Sequence, residues 1–169
     1  MKDNFDQCFE MVLQHEGHYV NDPRDPGGRT NMGVTQRQWE AYIGREVSED
    51  EMRKLTPKDV KPFYKTRYWD LIRGDDLPSG IDYAVFDFAV NSGVGRASKY
   101  LQSIVGAFSD GVIGPKTVEA TKACDKEQAI DGICDMRLNF LQKLEKFPIY
   151  GKGWSKRVAD VNDKAVSMA

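Results

Sequence analysis

The chain has 169 residues, of which 40% are hydrophobic and 30% charged, and its formal net charge is −2. This size and composition are typical of one soluble globular domain, or of one domain with a small subdomain, and exclude a disordered chain. A charge close to zero provides no positive field for holding nucleic acid. No apolar segment approaches the roughly 18 residues that a membrane helix needs, so we expect no membrane insertion.

The cysteines and the first residues indicate where the chain is made. Cys8, Cys124 and Cys134 have no paired spacing, which predicts buried free thiols in a reducing cytosol. Residues 1–10 carry three acids, and no small-residue cleavage site follows them. We therefore expect no signal peptide and synthesis in the cytoplasm.

The first predicted element is an amphipathic helix over residues 4–16. Its apolar positions recur at intervals of three and four residues and are Phe5, Cys8, Phe9, Val12 and Leu13. Glu16 is the next position on this stripe, because at about 100° per residue it lies roughly 20° from Phe5. Gly17 then ends the helix. The sequence thus places a carboxylate on the apolar face, in the last turn.

Residues 18–34 are rich in turn-forming residues. DPRDPGG and Gly33 interrupt any helix, whereas residues 19–20 and 32–35 favour short strands. We expect a small irregular β hairpin here.

Three short helices are predicted after the hairpin. Thr35 caps the first, which runs through residue 43, and Ser48 and Glu51 form a capping box for the second. The third begins at Thr56-Pro57 and runs towards Tyr68-Trp69, with a kink at Pro62.

The second half of the chain is predicted to be helical. Residues 81–91, IDYAVFDFAVN, are apolar on nearly every side, which indicates a helix buried on all faces in the core. The later helical segments are, in order, 97–105, a short one from Pro115, 126–145, and a last one with Trp154, Val158 and Val161. We expect a loop, FPIYGKG, before the last helix.

The stretch HEGH looks like a zinc motif with one residue missing. A zinc-protease helix needs histidines at i and i+4, whereas His15 and His18 are three apart and Gly17 separates them. A third ligand would have to be Asp22 or Asp25. PGGRTNMG likewise lacks the spacing of a phosphate-binding loop. We predict no metal and no cofactor, with the histidines at the surface or at the edge of a substrate site.

Glu16 is the main candidate for a catalytic residue. A helix-terminal glutamate in a salt bridge is the structural alternative. A charge on a buried stripe is costly unless it has a partner or a task, and a carboxyl group removed from water keeps its proton to higher pH. Glycoside hydrolysis needs such an acid beside a second, more solvated polar group. Asp25, Thr30 and Asn31 are the candidates for that group.

Other side chains are candidates for substrate binding. Tyr64, Tyr68 and Trp69 could stack on sugar rings, although at helical spacing core packing is the alternative for at least one of them. Asn91 is a candidate cleft-lining amide or a helix-end residue. Asp87, inside the same helix, is expected to make structural hydrogen bonds.

These stretches resemble glycoside hydrolase family 108, a family of lysozyme-like N-acetylmuramidases found among phage endolysins and bacterial secretion activators. HEGHYVNDPRDPGGRTNMGVT is similar to the family signature ExGGYxxxxxDxGGxTxxGI. The similarity continues through RYWDLIRGDDLPSGIDYAVFDFAVNSGVGRASKYLQ. GAFSDGVIGPKT and RLNFLQKLEKFPIYGKGW resemble the family's C-terminal peptidoglycan-binding region.

The resemblance implies a fold and roles for particular residues. The fold would be mainly α and lysozyme-like, with a small β hairpin after the first helix. Glu16 would be the catalytic acid, and Asp25 follows it at the nine-residue interval of related phage lysozymes. Thr30 or Asn31 would fill the third role. His18 replaces the second glycine of the EGGY motif, which places it at the edge of the cleft.

The function implied is hydrolysis of the β-1,4 bond between N-acetylmuramic acid and N-acetylglucosamine in peptidoglycan. Residues 1–95 would form the catalytic region, and 96–169 the peptidoglycan-binding region. The alternatives are a lytic transglycosylase and a non-catalytic peptidoglycan-binding protein. We expect a monomer that leaves the cytoplasm through holin-type lesions and acts on the cell wall.

Overall fold

The structure, a computed structural model, describes residues 2–24 and 26–169, so the candidate Asp25 lies outside the described residues. Within this part of the chain the helices are α1 (Phe5–His15), α2 (Gln36–Ile43), α3 (Glu49–Arg53), α4 (Pro57–Tyr64), α5 (Ile81–Ser92), α6 (Val94–Val105), α7 (Pro115–Ala123), α8 (Lys126–Gln142) and α9 (Phe147–Met168). Strands β1 (Thr30–Asn31) and β2 (Val34–Thr35) form an antiparallel hairpin. The expected mainly α fold with a hairpin after the first helix is confirmed.

The described residues fall into two compact units. The smaller unit is Phe9–Arg67, and the larger unit combines the residues up to Cys8 with Tyr68–Ala169. The functional division of the chain at residue 95 stays a prediction. In the described part of the chain, no helix is both long and apolar enough to cross a membrane.

Short helices and their caps build the smaller unit. Thr35 and Gln38 form a complete capping box at α2, as expected for a cap at Thr35. Only half of the predicted box at α3 is present, because Ser48 accepts from the Glu51 N–H while the Glu51 carboxylate pairs with Arg45 at 3.0 Å. Pro62 lies inside α4, which continues as a π-helical turn over Lys65–Trp69.

Helix α5 is the centre of the larger unit. Residues 81–89 are all buried, which confirms the prediction of a helix buried on every face. Helices α6, α8 and α9 pack against it. Cys8 and Cys134 are buried free thiols, and burial raises the pKa of Cys134 to about 12.

Asp87 carries a charge into this centre. Its Oδ2 lies 2.7 Å from Nη1 of Arg137 on α8, and its Oδ1 lies 2.9 Å from Nη2 of Arg157 on α9. Burial alone would raise the pKa of Asp87, but the two guanidinium groups outweigh it and lower the pKa. The expected structural role of Asp87 is confirmed, and its ion pairs join three helices.

The predicted loop at FPIYGKG is wrong, because these residues form the first two turns of α9. Pro148 stands in the first turn, where no backbone donor is needed. Gly151 is buried, and a Cβ there would lie 2.7 Å from the Phe147 ring. The glycine therefore permits close packing within a helix and does not end one.

Replacing Asp87 by Asn should destabilise the fold, because it removes the carboxylate that pairs with the buried Arg137 and with the largely buried Arg157. We expect a loss of about 3–5 kcal/mol at neutral pH, measured by urea unfolding. Since the folded-state pKa of Asp87 is lowered, its stabilisation is present above the unfolded value of about 3.9 and is lost as pH falls through the folded value. The difference between the variant and the wild type should therefore shrink in acid. Asp50→Asn, which breaks the exposed pair with Lys54, is the control and should change little.

Candidate active site

Glu16 lies directly after α1, with its N–H donating to Val12 O at 3.2 Å. The predicted stripe on α1 is real, since Phe5, Phe9 and Val12 are buried. Glu16 itself is half-buried and not buried, because the helix ends one residue earlier and the side chain borders an open cavity. The backbone of Glu16 is thus held by a hydrogen bond to the last turn of α1, while its carboxylate remains accessible from the cavity.

The turn of the hairpin approaches this carboxylate closely. At Gly33 the backbone has φ +76°, and a Cβ there would lie 2.6 Å from both Glu16 Oε2 and the Tyr64 hydroxyl. Tyr64 donates from its hydroxyl to Met32 O at 2.6 Å, and Met32 also has a positive φ of 49°. Glycine at position 33 therefore allows the acid, the tyrosine and the turn to meet.

A cavity of about 490 Å³ opens beside Glu16 in the smaller unit. Its apolar lining consists of Leu13, Met32, Leu55 and Pro57, and its polar lining of Glu16, His18, Tyr19, Asn31 and Arg53, with Gly17 completing the wall. The cavity brings together three predicted site residues, namely Glu16, His18 and Asn31. Its mixed lining is suited to a sugar, which has both apolar faces and hydroxyl groups.

Thr30 and Asn31 differ in their relation to this cavity. As successive strand residues they point to opposite faces of the hairpin. Asn31 is buried and lines the cavity, and its Nδ2 donates to Met52 O on α3 at 2.8 Å. Thr30 pairs with Thr35 across the hairpin and is not among the described lining residues.

Arg53 is a cavity residue that the sequence did not single out. Its guanidinium carbon lies 4.3 Å from the centroid of the Tyr19 ring, and its Nη2 donates to Glu49 Oε1 at 2.8 Å. The Tyr19 hydroxyl donates to the same oxygen at 3.1 Å. Hydrogen bonds from Arg53 and Tyr19 lower the pKa of Glu49. The Glu49–Arg53 spacing of four residues was visible in the sequence, but the contact with Tyr19 was not.

The remaining predicted substrate-binding residues belong to the larger unit. Trp69 is fully buried, donates from Nε1 to Asp75 at 2.9 Å and packs on Phe86, as a core residue does. Tyr68 is half-buried. Asn91 is exposed at the end of α5 and lines a separate cavity with Arg96.

Asp22, the described acid nearest the HEGH stretch in the loop after it, pairs with a neighbouring arginine. Arg24 holds Asp22 through its Nε and Nη2, at 2.9 and 2.8 Å, and these hydrogen bonds lower the pKa of Asp22 to about 2. Among residues 2–24 and 26–169, no three His, Cys, Asp or Glu side chains are grouped so as to hold a metal ion.

The helical fold, the hairpin and the acid at the end of the first helix define a lysozyme-like protein. Residues 9–93 match the family model described as Glycosyl hydrolase 108. Structure comparison finds Brucella abortus SagA, at 43% identity and a TM-score of 0.89, with 99% of this chain and 97% of that chain covered. A search of curated proteins gave no match. The chain belongs to the glycosyl hydrolase 108 family.

Gly33→Ala should lower the free energy of unfolding more than Gly44→Ala does. The difference between the two losses should measure the cost of the contact that a Cβ at position 33 makes with Glu16 and Tyr64. Both glycines have similar φ values, +76° and +79°, so the cost of left-handed backbone, about 1–2 kcal/mol, is shared. A Cβ at Gly44 meets nothing within 4 Å, whereas one at Gly33 meets Glu16 and Tyr64. We expect a further loss of about 1–3 kcal/mol for Gly33→Ala in urea unfolding. Equal losses for both variants would show that the contact tolerates a methyl group.

Proposed function

We propose that the protein is an N-acetylmuramidase that hydrolyses the β-1,4 bond between N-acetylmuramic acid and N-acetylglucosamine in peptidoglycan. The observation that carries the proposal is the Glu16 carboxylate, which is held against Gly33 and borders the cavity. A general acid must reach the glycosidic oxygen and be fixed while it does so. Membership of a glycosyl hydrolase family supports the same chemistry.

In the proposed reaction, protonated Glu16 donates its proton to the glycosidic oxygen. The bond to the anomeric carbon breaks, and positive charge spreads over that carbon and the ring oxygen. Asp25 stabilises this charge or accepts a proton from the attacking water. Water supplies the hydroxyl group of the new reducing end, and its other proton passes to Glu16, or to Asp25 where that residue is the base, so the reaction needs no metal and no cofactor.

We assign the third role, that of a polar group beside the reacting centre, to Asn31. The support is positional, because Asn31 lines the cavity with Glu16 and Thr30 does not. The hydrogen bond from Asn31 to Met52 O also fixes its amide. His18, exposed on the cavity wall, is assigned to the edge of the substrate site.

Hydrolysis is favoured over the two alternatives. Lytic transglycosylases commonly carry serine after the catalytic glutamate, whereas Gly17 follows Glu16 here. A binding protein without activity has no use for a fixed acid beside a cavity.

Glu16→Gln should abolish cell-wall lysis without unfolding the protein. The amide keeps the shape of the side chain but cannot donate an acidic proton, and general acids contribute about 10²–10⁴-fold to rate. Turbidity clearing of purified sacculi measures lysis, and circular dichroism reports the fold. Glu10→Gln, a change on the exposed side of the same helix, is the matched control and should lyse at the wild-type rate. Clearing by Glu16→Gln at a near wild-type rate would overturn the assignment.

The released fragments should end in reducing muramic acid. Mass spectrometry distinguishes these ends from the 1,6-anhydro ends of a transglycosylase, which are lighter by one water. Anhydro ends as the main product would replace hydrolysis by transglycosylation. Binding to sacculi with no fragments released would instead favour the non-catalytic alternative.

A further inference from the structure

The wall of the cavity beside Glu16 includes one cationic side chain that the proposed bond cleavage does not use. Among the described residues that line it, Arg53 is the only arginine or lysine. General acid catalysis on a glycosidic bond requires no guanidinium group. A cation beside the acid therefore points to recognition of the substrate.

Arg53 is held in place from two sides. The Tyr19 ring lies under its guanidinium group, and Glu49 accepts from its Nε and Nη2 at 3.2 and 2.8 Å. Its Nη1 has no hydrogen-bond partner among the described residues, and its side chain keeps 56% of its surface exposed. The guanidinium group is thus oriented by the protein while one amino group stays available to a ligand.

The counter-charge of Arg53 is shared with a second arginine. Glu49 is shared, because its Oε2 lies 3.5 Å from Arg29 Nη2 while its Oε1 accepts from Arg53. One carboxylate thus faces two guanidinium groups, so Arg53 does not have Glu49 to itself.

We propose that Arg53 determines specificity by binding a carboxylate of the glycan substrate. The inference rests on the proposed function. Muramic acid carries a lactyl carboxyl group, or a stem peptide with its own carboxylates attached there, whereas a chitin oligomer of the same length is neutral. Arg53 would therefore distinguish peptidoglycan strands from chitin-like strands, with Tyr19 as its positioning residue.

The test is ligand binding in the Glu16→Gln background, where no cleavage disturbs the measurement. Isothermal titration would compare three ligands of equal sugar length: a peptidoglycan tetrasaccharide without stem peptides, the same tetrasaccharide with them, and chitotetraose. The proteins are Glu16→Gln alone and the same variant with Arg53→Gln, Arg53→Lys or Arg45→Ala. Arg45 is an exposed arginine paired with Glu51, and it does not line the cavity, so it is the matched control.

We expect the parent variant to bind at least one carboxylate-bearing ligand about tenfold more tightly than chitotetraose. Arg53→Gln should remove this preference and leave chitotetraose binding within about twofold, while Arg45→Ala keeps it. Arg53→Lys should retain part of the preference, because it keeps the charge but not the oriented fork. A preference confined to the ligand without stem peptides identifies the lactyl carboxylate, and one confined to the peptide-bearing ligand identifies the stem.

Three results would overturn the inference. The first is that the parent variant binds all three ligands with equal affinity. The second is that Arg53→Gln lowers the affinity for all three ligands equally. The third is that the preference for a carboxylate-bearing ligand survives Arg53→Gln. Each of these results leaves the assignment of Glu16 unchanged, since that assignment is tested by whether Glu16→Gln abolishes lysis. If none of the glycans binds the parent variant, the inference falls, while the proposed function still depends on the lysis test.

Discussion

The carboxylate of Asp87 is buried in the most apolar helix of the protein and contacts Arg137 and Arg157. A lone charge in that position would be too costly to keep, so the two arginines have to reach it. That requirement fixes α8 and α9 against α5 at defined positions along each helix. Such a buried ion pair adds little to net stability compared with apolar residues of the same shape, but removing one partner is expensive. Loss of either arginine would therefore weaken the packing of α8 or α9 on α5.

The smaller unit depends on a different constraint, which is that the residue at position 33 has no side chain. The Glu16 carboxylate and the Tyr64 hydroxyl occupy the space that a Cβ would fill. Tyr64 in turn packs edge-on against Phe9, with ring centroids 5.3 Å apart, so the turn is linked to the apolar stripe of α1. The position of the acid thus follows from the packing of the helix that precedes it and from the turn that faces it.

Local patterns predicted the parts of the structure that local forces determine. The stripe of α1, the buried helix α5, the cap at Thr35 and the place of Glu16 at the end of α1 were all visible as spacing along the chain. The start of α9 was not predicted, because Gly151 packs closely against Phe147 within the helix and does not form a turn. The contact of Gly33 with Glu16 and Tyr64, and the place of Arg53 in the cavity wall, were missed for a related reason: they come from contacts between segments distant in sequence. The resemblance to a family supplied Glu16 with a role, but it said nothing about Arg53.

Glu16 and Asp87 show how different surroundings make one carboxylate of the chain a candidate catalyst and another a structural residue. Both lie on faces that the helical pattern marks as apolar. Asp87 is enclosed by two guanidinium groups that lower its pKa, so it stays charged and holds helices together. Glu16 stands one residue beyond the end of its helix, where the same apolar face opens onto a cavity. Because a proton can be passed only to a group that reaches the acid, access and not burial separates the candidate catalyst from the structural carboxylate.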